Sequence, residues 1–370
     1  VVGFKPLMDG IAAAQTSSAD AWMVLDMAGY GQDIRTADYA AERGDALTSS
    51  SPNVLARFAL AEMACGGNAD ELLAKLDESN VFEFITYIPY ALLAYERGES
   101  DNANITACIN ALLAAELPAG GWNYGFGTAA DVDTTAMILS GLAPYYKTNA
   151  EVKAAVDRAV TVLSETQAAE TGAWNGNANS TAMVVVSLAA LGIDAHRDSR
   201  FIKDGHSAVE GLMSFALSDK TGFGYKGNVT ENALATEQGL RALVSYARFA
   251  ESGGEPYNIY LQAKAGEDAP ADPKITTTVK PQPVTPTDKS ISVSVRVSGD
   301  TGVWLSTRVS VRSGVSVYDV LTSVLADNGY SWEGSSNYIS YITNPDGVRL
   351  GEFSTGDNSG WLYKVNGVLP

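Results

Sequence analysis

"GGWNYGFGTAADVDTTAM", Gly120 to Met137, is the stretch on which the fold turns. Its glycine pair and tryptophan mark a turn, and Asp131, Asp133 and Thr134 then open an apolar run. Short polar side chains just ahead of an apolar helical period mark a helix start, because they can accept from N–H groups that lack an intrahelical partner. The run itself is small and apolar nearly all round, as a helix buried on both sides should be.

Outward from this stretch the pattern repeats. Small-residue helical runs recur at 19–30, 53–65, 82–97, 133–146, 180–191 and 234–249. Between them lie further amphipathic stretches, such as those at 33–47, 103–117, 151–167 and 204–217, whose apolar residues at i, i+3, i+4 and i+7 mark one buried face. A short helix near 5–15 completes six pairs. Alternating helix character at a period of roughly 30 to 50 residues is the mark of stacked helical hairpins. Six that close on themselves give an α/α toroid, with the small-residue helices inside, over residues 1–264.

Residues 265–290, "AGEDAPADPKITTTVKPQPVTPTDKS", lack any apolar period and read as an extended Pro/Thr-rich linker. Beyond it the period drops to two. "SISVSVRVSG" alternates apolar and polar residues as a half-buried strand does. "WLSTRVSVRSG" follows, then a short helix in "SVYDVLTSVLADNGY" ended at Asn328-Gly329. "NYISYITN", "GVRLGEFS" and "GWLYKVNG" are further strands of a small α+β domain at 291–370. The first residue is Val1, so a processed N-terminus is expected, and an ending at Pro370 just after a turn points to a longer parent chain.

The net charge of -18 argues against a nucleic-acid partner, whose phosphates would be repelled. The acidity is uneven: residues 1–266 carry a net of -15, and those from Ser290 onward a net of -2. No run approaches the roughly 18 to 20 apolar residues that a membrane helix needs. Cys65 and Cys108 are the only cysteines and His196 and His206 the only histidines. They are too scattered for a Cys/His zinc site, so no metal or required cofactor is expected, and one disulfide stays open.

Two sets of motifs resemble known families. "RAVTVLSETQAAETGAWNG" sets Arg158, Gln167, Gly172 and Trp174 in a row, "INALLAAELPAGGWNYG" repeats Gly120 and Trp122, and "LMSFALSDKTGFGYKG" has Phe223 and Tyr225 in the aromatic places. These resemble the Gln-Trp repeats of terpene cyclases and prenyltransferases, whose fold is the α/α toroid. In that role Gln would satisfy N–H groups at the next helix start while the ring covers the turn. "DVDTTA" also looks like the Asp-x-Asp-Asp-Thr-Ala element of class II terpene cyclases, which would make Asp133 the acid. The third acid is replaced by Thr134, and those enzymes build their pocket between two toroids rather than one. "VSVYDVLTSVLADNGY", "YISYI" and "SGWLYKVNG" resemble a C-terminal module of bacterial surface proteins, related to the β domain of the transcobalamin and intrinsic factor family. That family has the same domain order, and the resemblance implies a corrinoid such as cobalamin bound between the domains without catalysis.

The Asp-x-Asp stretch therefore has three readings: helix capping, contact with a ligand at a polar rim, and acid catalysis. If the inner helices all start on one side, Asp20, Asp131, Asp133, Asn179 and Glu231 gather at one mouth, beside Trp22, Trp122, Tyr124, Trp174 and Tyr225. The resemblance adds Trp361 and Tyr363 from the C-terminal module. The leading expectation is a non-catalytic ligand-binding protein, secreted or on a bacterial cell surface. The rivals are an interaction protein that uses the toroid to present the module to a partner, and a cyclase-type enzyme.

Overall fold

The computed structural model describes residues 4–49, 51–100, 102–125, 127–273, 290–299, 302–312, 317–335, 338–352, 354 and 360–362. Two compact units divide the chain, Val1–Gln282 and Pro283–Pro370.

The first unit is helical, with α1 (Lys5–Ala14), α2 (Ala21–Gly29), α3 (Ala37–Ala46), α4 (Pro52–Ala64), α5 (Asp70–Asp77), α6 (Ile88–Arg97) and α7 (Asn102–Ala114). It continues through α8 (Val132–Leu142), α9 (Ala150–Thr166), α10 (Ala178–Leu191), α11 (Ala208–Met213), α12 (Ala233–Glu251) and α13 (Ile259–Gln262). A two-stranded antiparallel pair, β1 (Ile202–Lys203) and β2 (His206–Ser207), precedes α11. No helix among the described residues is long and apolar enough to cross a membrane.

The even-numbered helices from α2 to α12 are the apolar runs of the sequence, and burial separates them from their partners. In α10 every residue but Asn179 is buried. In α9 only Val152, Ala155, Val156, Ala159, Val160 and Leu163 are buried, one stripe at i, i+3 and i+4. Each fully buried Val or Leu of that stripe stabilises by roughly 1.5–3 kcal/mol. Contacts run from α2 to α4, α6, α8, α10 and α12 in turn, and α12 returns to α2.

Residues 257–266 cross the C-terminal ends of these helices. Tyr257 N–H donates to Ala189 O of α10, Asn258 Nδ2 to Ser140 O of α8 at 2.8 Å, and Ala265 N–H to Ala64 O of α4. Arg97, at the end of α6, donates to Tyr260 O and Ala263 O at 2.7 and 2.6 Å. Carbonyls at helix ends need such partners because the helix itself supplies none. The circuit of inner helices is thereby closed at its C-terminal end.

Several boundaries depart from the sequence reading. The run expected from 82 starts at Ile88, because Pro89 fits only the first turn of a helix. The stretch at 204–217 gives up its first turn to a bend at Asp204 and Gly205, both at positive φ, and only α11 remains helical. Helix α5 is the outer helix that six pairs require between the second and third apolar runs. The segment read as a linker from 265 stays on the helical unit at first, and Asp272 accepts from Phe4 N–H at 2.7 Å. Residues 274–289 of that segment lie outside the described residues. Both cysteines are free thiols.

The second unit holds an antiparallel hairpin of β3 (Ser290–Gly299) and β4 (Gly302–Arg312), then α14 (Val317–Asp327). A separate sheet follows, β5 (Ser331–Ser335), β6 (Tyr338–Thr343) and β7 (Arg349–Gly351), in the order β5-β6-β7. The period-two reading of β3 agrees with its burial: Val297 is buried while Ser292, Ser294 and Arg296 are exposed. Val297, Leu325 and Ile342 form the core, with Trp304, Trp332 and Trp361 packed against it. Helix α14 ends at Gly329, which has a φ of +78° as expected of a glycine stop. Strand β5 was not expected, and the strand expected at 360–367 falls mostly outside the described residues.

Candidate functional site

The turn before each of the last three inner helices carries one clasp. Trp122 N–H donates to Thr135 Oγ1 at 3.0 Å, Trp174 N–H to Thr181 Oγ1 at 3.1 Å, and Phe223 N–H to Thr236 Oγ1 at 3.0 Å. Each threonine is the fourth residue of its helix. Both tryptophans are fully buried, and their indole N–H groups donate to Leu112 O and Leu163 O in the preceding outer helices, at 2.7 and 2.8 Å. Gly121, at a φ of +74°, leaves room for the clasp, since a Cβ there would sit 3.1 Å from Thr135 Oγ1.

This corrects two expectations. Trp122 and Trp174 do not stand at a ligand mouth; they join an outer helix to the next inner one. Gln167 does not serve the N–H groups of a helix start either: its Nε2 donates to the carbonyls of Gly172 and Phe201 at 2.8 and 3.1 Å.

The opposite face of the same helices carries the cavity. At about 100° per residue, positions two and six of a helix share a face, and position four lies on the other side. Positions two and six are Asp133 and Met137 in α8, Asn179 and Met183 in α10, and Leu234 and Gln238 in α12. All six line one cavity of about 490 Å³, which Tyr90 of α6, Tyr225 and the cap residues Asn177 and Asn232 complete. The same register gives Trp22 and Asp26 in α2, and Asn53 and Arg57 in α4.

Unpartnered polar atoms follow that register. Asp133 Oδ1, Asn179 Oδ1 and Gln238 Oε1 are shielded from solvent without a hydrogen-bond partner, as are Asn53 Oδ1 and Arg57 Nε at the same positions of α4. A buried polar group left unpaired costs about 1–3 kcal/mol, so such groups call for a further partner. Burial raises the Asp133 carboxyl above its ordinary range; the facing Ser180 hydroxyl draws it partly back, and the charge of Asp131 adds to the rise.

Behind Tyr90 lies a charged cluster that sequence reading missed. Arg241 is fully buried and donates to both oxygens of Asp26, at 2.7 and 3.1 Å, and to Glu237 at 2.6 Å. Its guanidinium lies 4.9 Å from the Trp22 ring and 5.7 Å from that of Tyr260. Trp22 in turn packs on Tyr90 at 4.8 Å, and Tyr90 on Tyr260 at 5.5 Å. Burial pushes Asp26 and Glu237 upward, and one cation serves two carboxylates, so Arg241 stays charged.

The residues expected at the site thus separate. Asp133, Asn179 and Tyr225 line the cavity, and Trp22 stands one ring behind it. Asp131 is a cap: its Oδ1 accepts from Thr134 N–H and Thr134 Oγ1, both at 2.7 Å. Asp20 caps α2 in the same way. Glu231 accepts from the Thr236 hydroxyl at 2.8 Å, and Tyr124 is exposed; neither lines the cavity. Trp361 belongs to the second unit, where its indole donates to Leu350 O at 2.9 Å and meets Trp304 edge-on. Tyr363 lies outside the described residues. Tyr90, Gln238, Met137 and Met183 were missed, although a count of two and six from each cap would have found all but Tyr90.

No protein-family model and no curated protein matches the sequence. Among solved structures, one described as a polysaccharide lyase matches at 14% identity and a TM-score of 0.42, covering 65% of this chain and 94% of that one. A likeness that distant transfers neither a fold nor an activity. What stands is a helical unit followed by a small β-containing unit.

Proposed function

We propose that the chain is a non-catalytic ligand-binding protein, secreted or on a bacterial cell surface, whose helical unit is an α/α toroid. The ligand sits in a cup open at the N-terminal ends of the inner helices. The return of α12 to α2 supports the toroid, and the crossing of the far end by residues 257–266 supports a cup rather than a channel. The observation that carries the binding reading is the convergence of three unpartnered acceptors, on Asp133, Asn179 and Gln238, upon one cavity. At about 490 Å³ its volume falls within the roughly 300–1,000 Å³ usual for small-molecule sites.

A ligand bound only by the folded protein raises the melting temperature by mass action. Cobinamide, a corrinoid without the nucleotide loop, is one probe for this, because the C-terminal resemblance implies that class. The decisive comparison is between the unaltered chain and Asn179→Ala. A ligand of this cup loses its melting shift in the variant, and a shift that survives places the ligand elsewhere.

One observation favours a second reading of the same cavity. Burial holds Asp133 protonated more readily than an ordinary carboxyl, which suits a proton donor in a cavity that Tyr90 and Tyr225 also line. A cyclase of this kind would release product from squalene or geranylgeranyl diphosphate, and Asp133→Asn would abolish it. Turnover unchanged in that variant removes Asp133 as the acid.

A further inference from the structure

The apolar surface of the helical unit is placed in a way that the cup alone does not explain. Its large exposed apolar side chains, among the described residues, are Phe82, Phe84, Tyr124, Tyr225, Val229 and Leu234. Phe82 and Phe84 lie in the segment leading into α6, Tyr124 in the loop leading into α8, and Tyr225 and Val229 in the loop leading into α12, whose second residue is Leu234. Every one stands on the side where the cup opens, and the outer helices contribute none. An apolar concentration confined to one side of a soluble surface marks a place where something binds.

The lining chooses the chemistry of the occupant. The lining carries amides on Asn177, Asn179, Asn232 and Gln238, the hydroxyl of Ser180 and the single carboxyl of Asp133, beside Met137, Met183, Leu234 and the rings of Tyr90 and Tyr225. An amide offers both a donor and an acceptor, and a hydroxyl does too, so the wall suits a ligand that presents many hydroxyl groups. No Lys or Arg lines the cavity, and the charge of Asp131 is felt at Asp133 in its wall, which disfavours an acidic ligand. The exposed rings supply the remaining element. A pyranose has hydroxyls at its edge and a patch of C–H groups on its face, and that face stacks on Phe or Tyr.

We propose that the cup and its aromatic rim bind a neutral or amino-bearing oligosaccharide chain, with one sugar unit in the cavity and further units on the rim. The inference rests on the cup being a ligand site, and it names the ligand class. The cavity sugar meets Asn179, Gln238 and Asp133, whose free acceptors take its hydroxyl protons. The outer units lie on Tyr225, Tyr124 and Phe84, so affinity rises with chain length.

The test is calorimetric titration of the full chain with cellohexaose, chitohexaose, the glucosamine hexamer and the galacturonic acid hexamer, beside the disaccharides of the same sugars. At least one neutral or amino hexamer should bind about tenfold more tightly than its disaccharide, and the galacturonic acid hexamer should not bind. Phe84→Ser with Tyr124→Ser should remove that length advantage and leave the disaccharide affinity in place. Asn179→Ala should weaken both. Both rim side chains are about half exposed, at 53% and 51%, and an unchanged melting temperature shows that the double variant keeps its fold. If no hexamer binds at about 5 mM while cobinamide binds and is lost in Asn179→Ala, the sugar inference falls and the cup reading stands. If neither sugars nor cobinamide bind, both fall. Tightest binding of the galacturonic acid hexamer overturns the charge argument and the inference with it.

Discussion

Replacing Arg241 with leucine tests the buried cluster behind the cavity. The change removes three charge-assisted hydrogen bonds, two to Asp26 and one to Glu237, and the contacts of the guanidinium with Trp22 and Tyr260. It leaves two buried carboxylates without their paired cation, with the charge of Arg57 still acting on Glu237. Removing one partner of a buried ionic cluster costs about 3–5 kcal/mol, because the charges that remain are uncompensated. For a unit of this size that is a fall in melting temperature of roughly 6–20 °C. The loss depends on pH, and its sign follows from the carboxyls. Burial already raises both, and loss of Arg241 raises them further, so the folded variant holds protons that the unfolded chain releases. These two groups therefore favour the folded variant fully below about pH 4, where both states are protonated, and progressively less as pH rises toward neutrality. Thermal or urea unfolding of the full chain at pH 4.5 and pH 7.5 would show a deficit that widens at the higher pH. A deficit under about 1 kcal/mol at pH 7.5, or one equal at both, refutes the cluster as described.

Other outcomes follow from the clasps and the cavity. Thr135→Val keeps the shape but strands the buried Trp122 N–H, and urea unfolding should show a loss of about 1–3 kcal/mol. Gly121→Ala forces a side chain into a positive-φ position against Ala130 and Thr135, so it should destabilise by at least about 1 kcal/mol in the same assay. Asp133→Asn removes a carboxyl that is raised in the fold. That carboxyl contributes best below about pH 4 and costs more as pH rises, so the variant should gain stability on the wild type toward neutrality and match it in acid. Equal melting temperatures for the two at every pH count against a shielded Asp133.

The inner helices were legible because small residues on every side leave no outward face, and the outer helices because their stripes are regular. The clasp was legible in outline from Gly120, Trp122 and Trp174, although its polarity was not: a sequence does not tell whether Gln167 meets a donor or an acceptor. The cavity was legible only in part, because it depends on where each helix begins. The sequence reading starts the fifth inner helix at Ser180, with Asn179 ahead of it; the cap is in fact Asn177, which turns Asn179 inward. Tyr90 breaks the register altogether, as the third residue of α6, so no count from the helix start points to it. The Arg241 cluster joins residues 215 positions apart, and no local pattern announces such a pair. The floor was missed because "YNIYLQAKAG" has too little period to show what it covers.

The split between the fourth position and the second and sixth gives the helical unit a property of a different kind. The residues that join hairpin to hairpin are separate from those that face the lumen, so one set can vary while the other is held. The cavity wall takes two side chains from each of α8, α10 and α12 and a third, Ser180, from α10, and none of them is a clasp residue. A library randomised at those seven positions would test whether the cavity can be altered while the clasps stay unchanged.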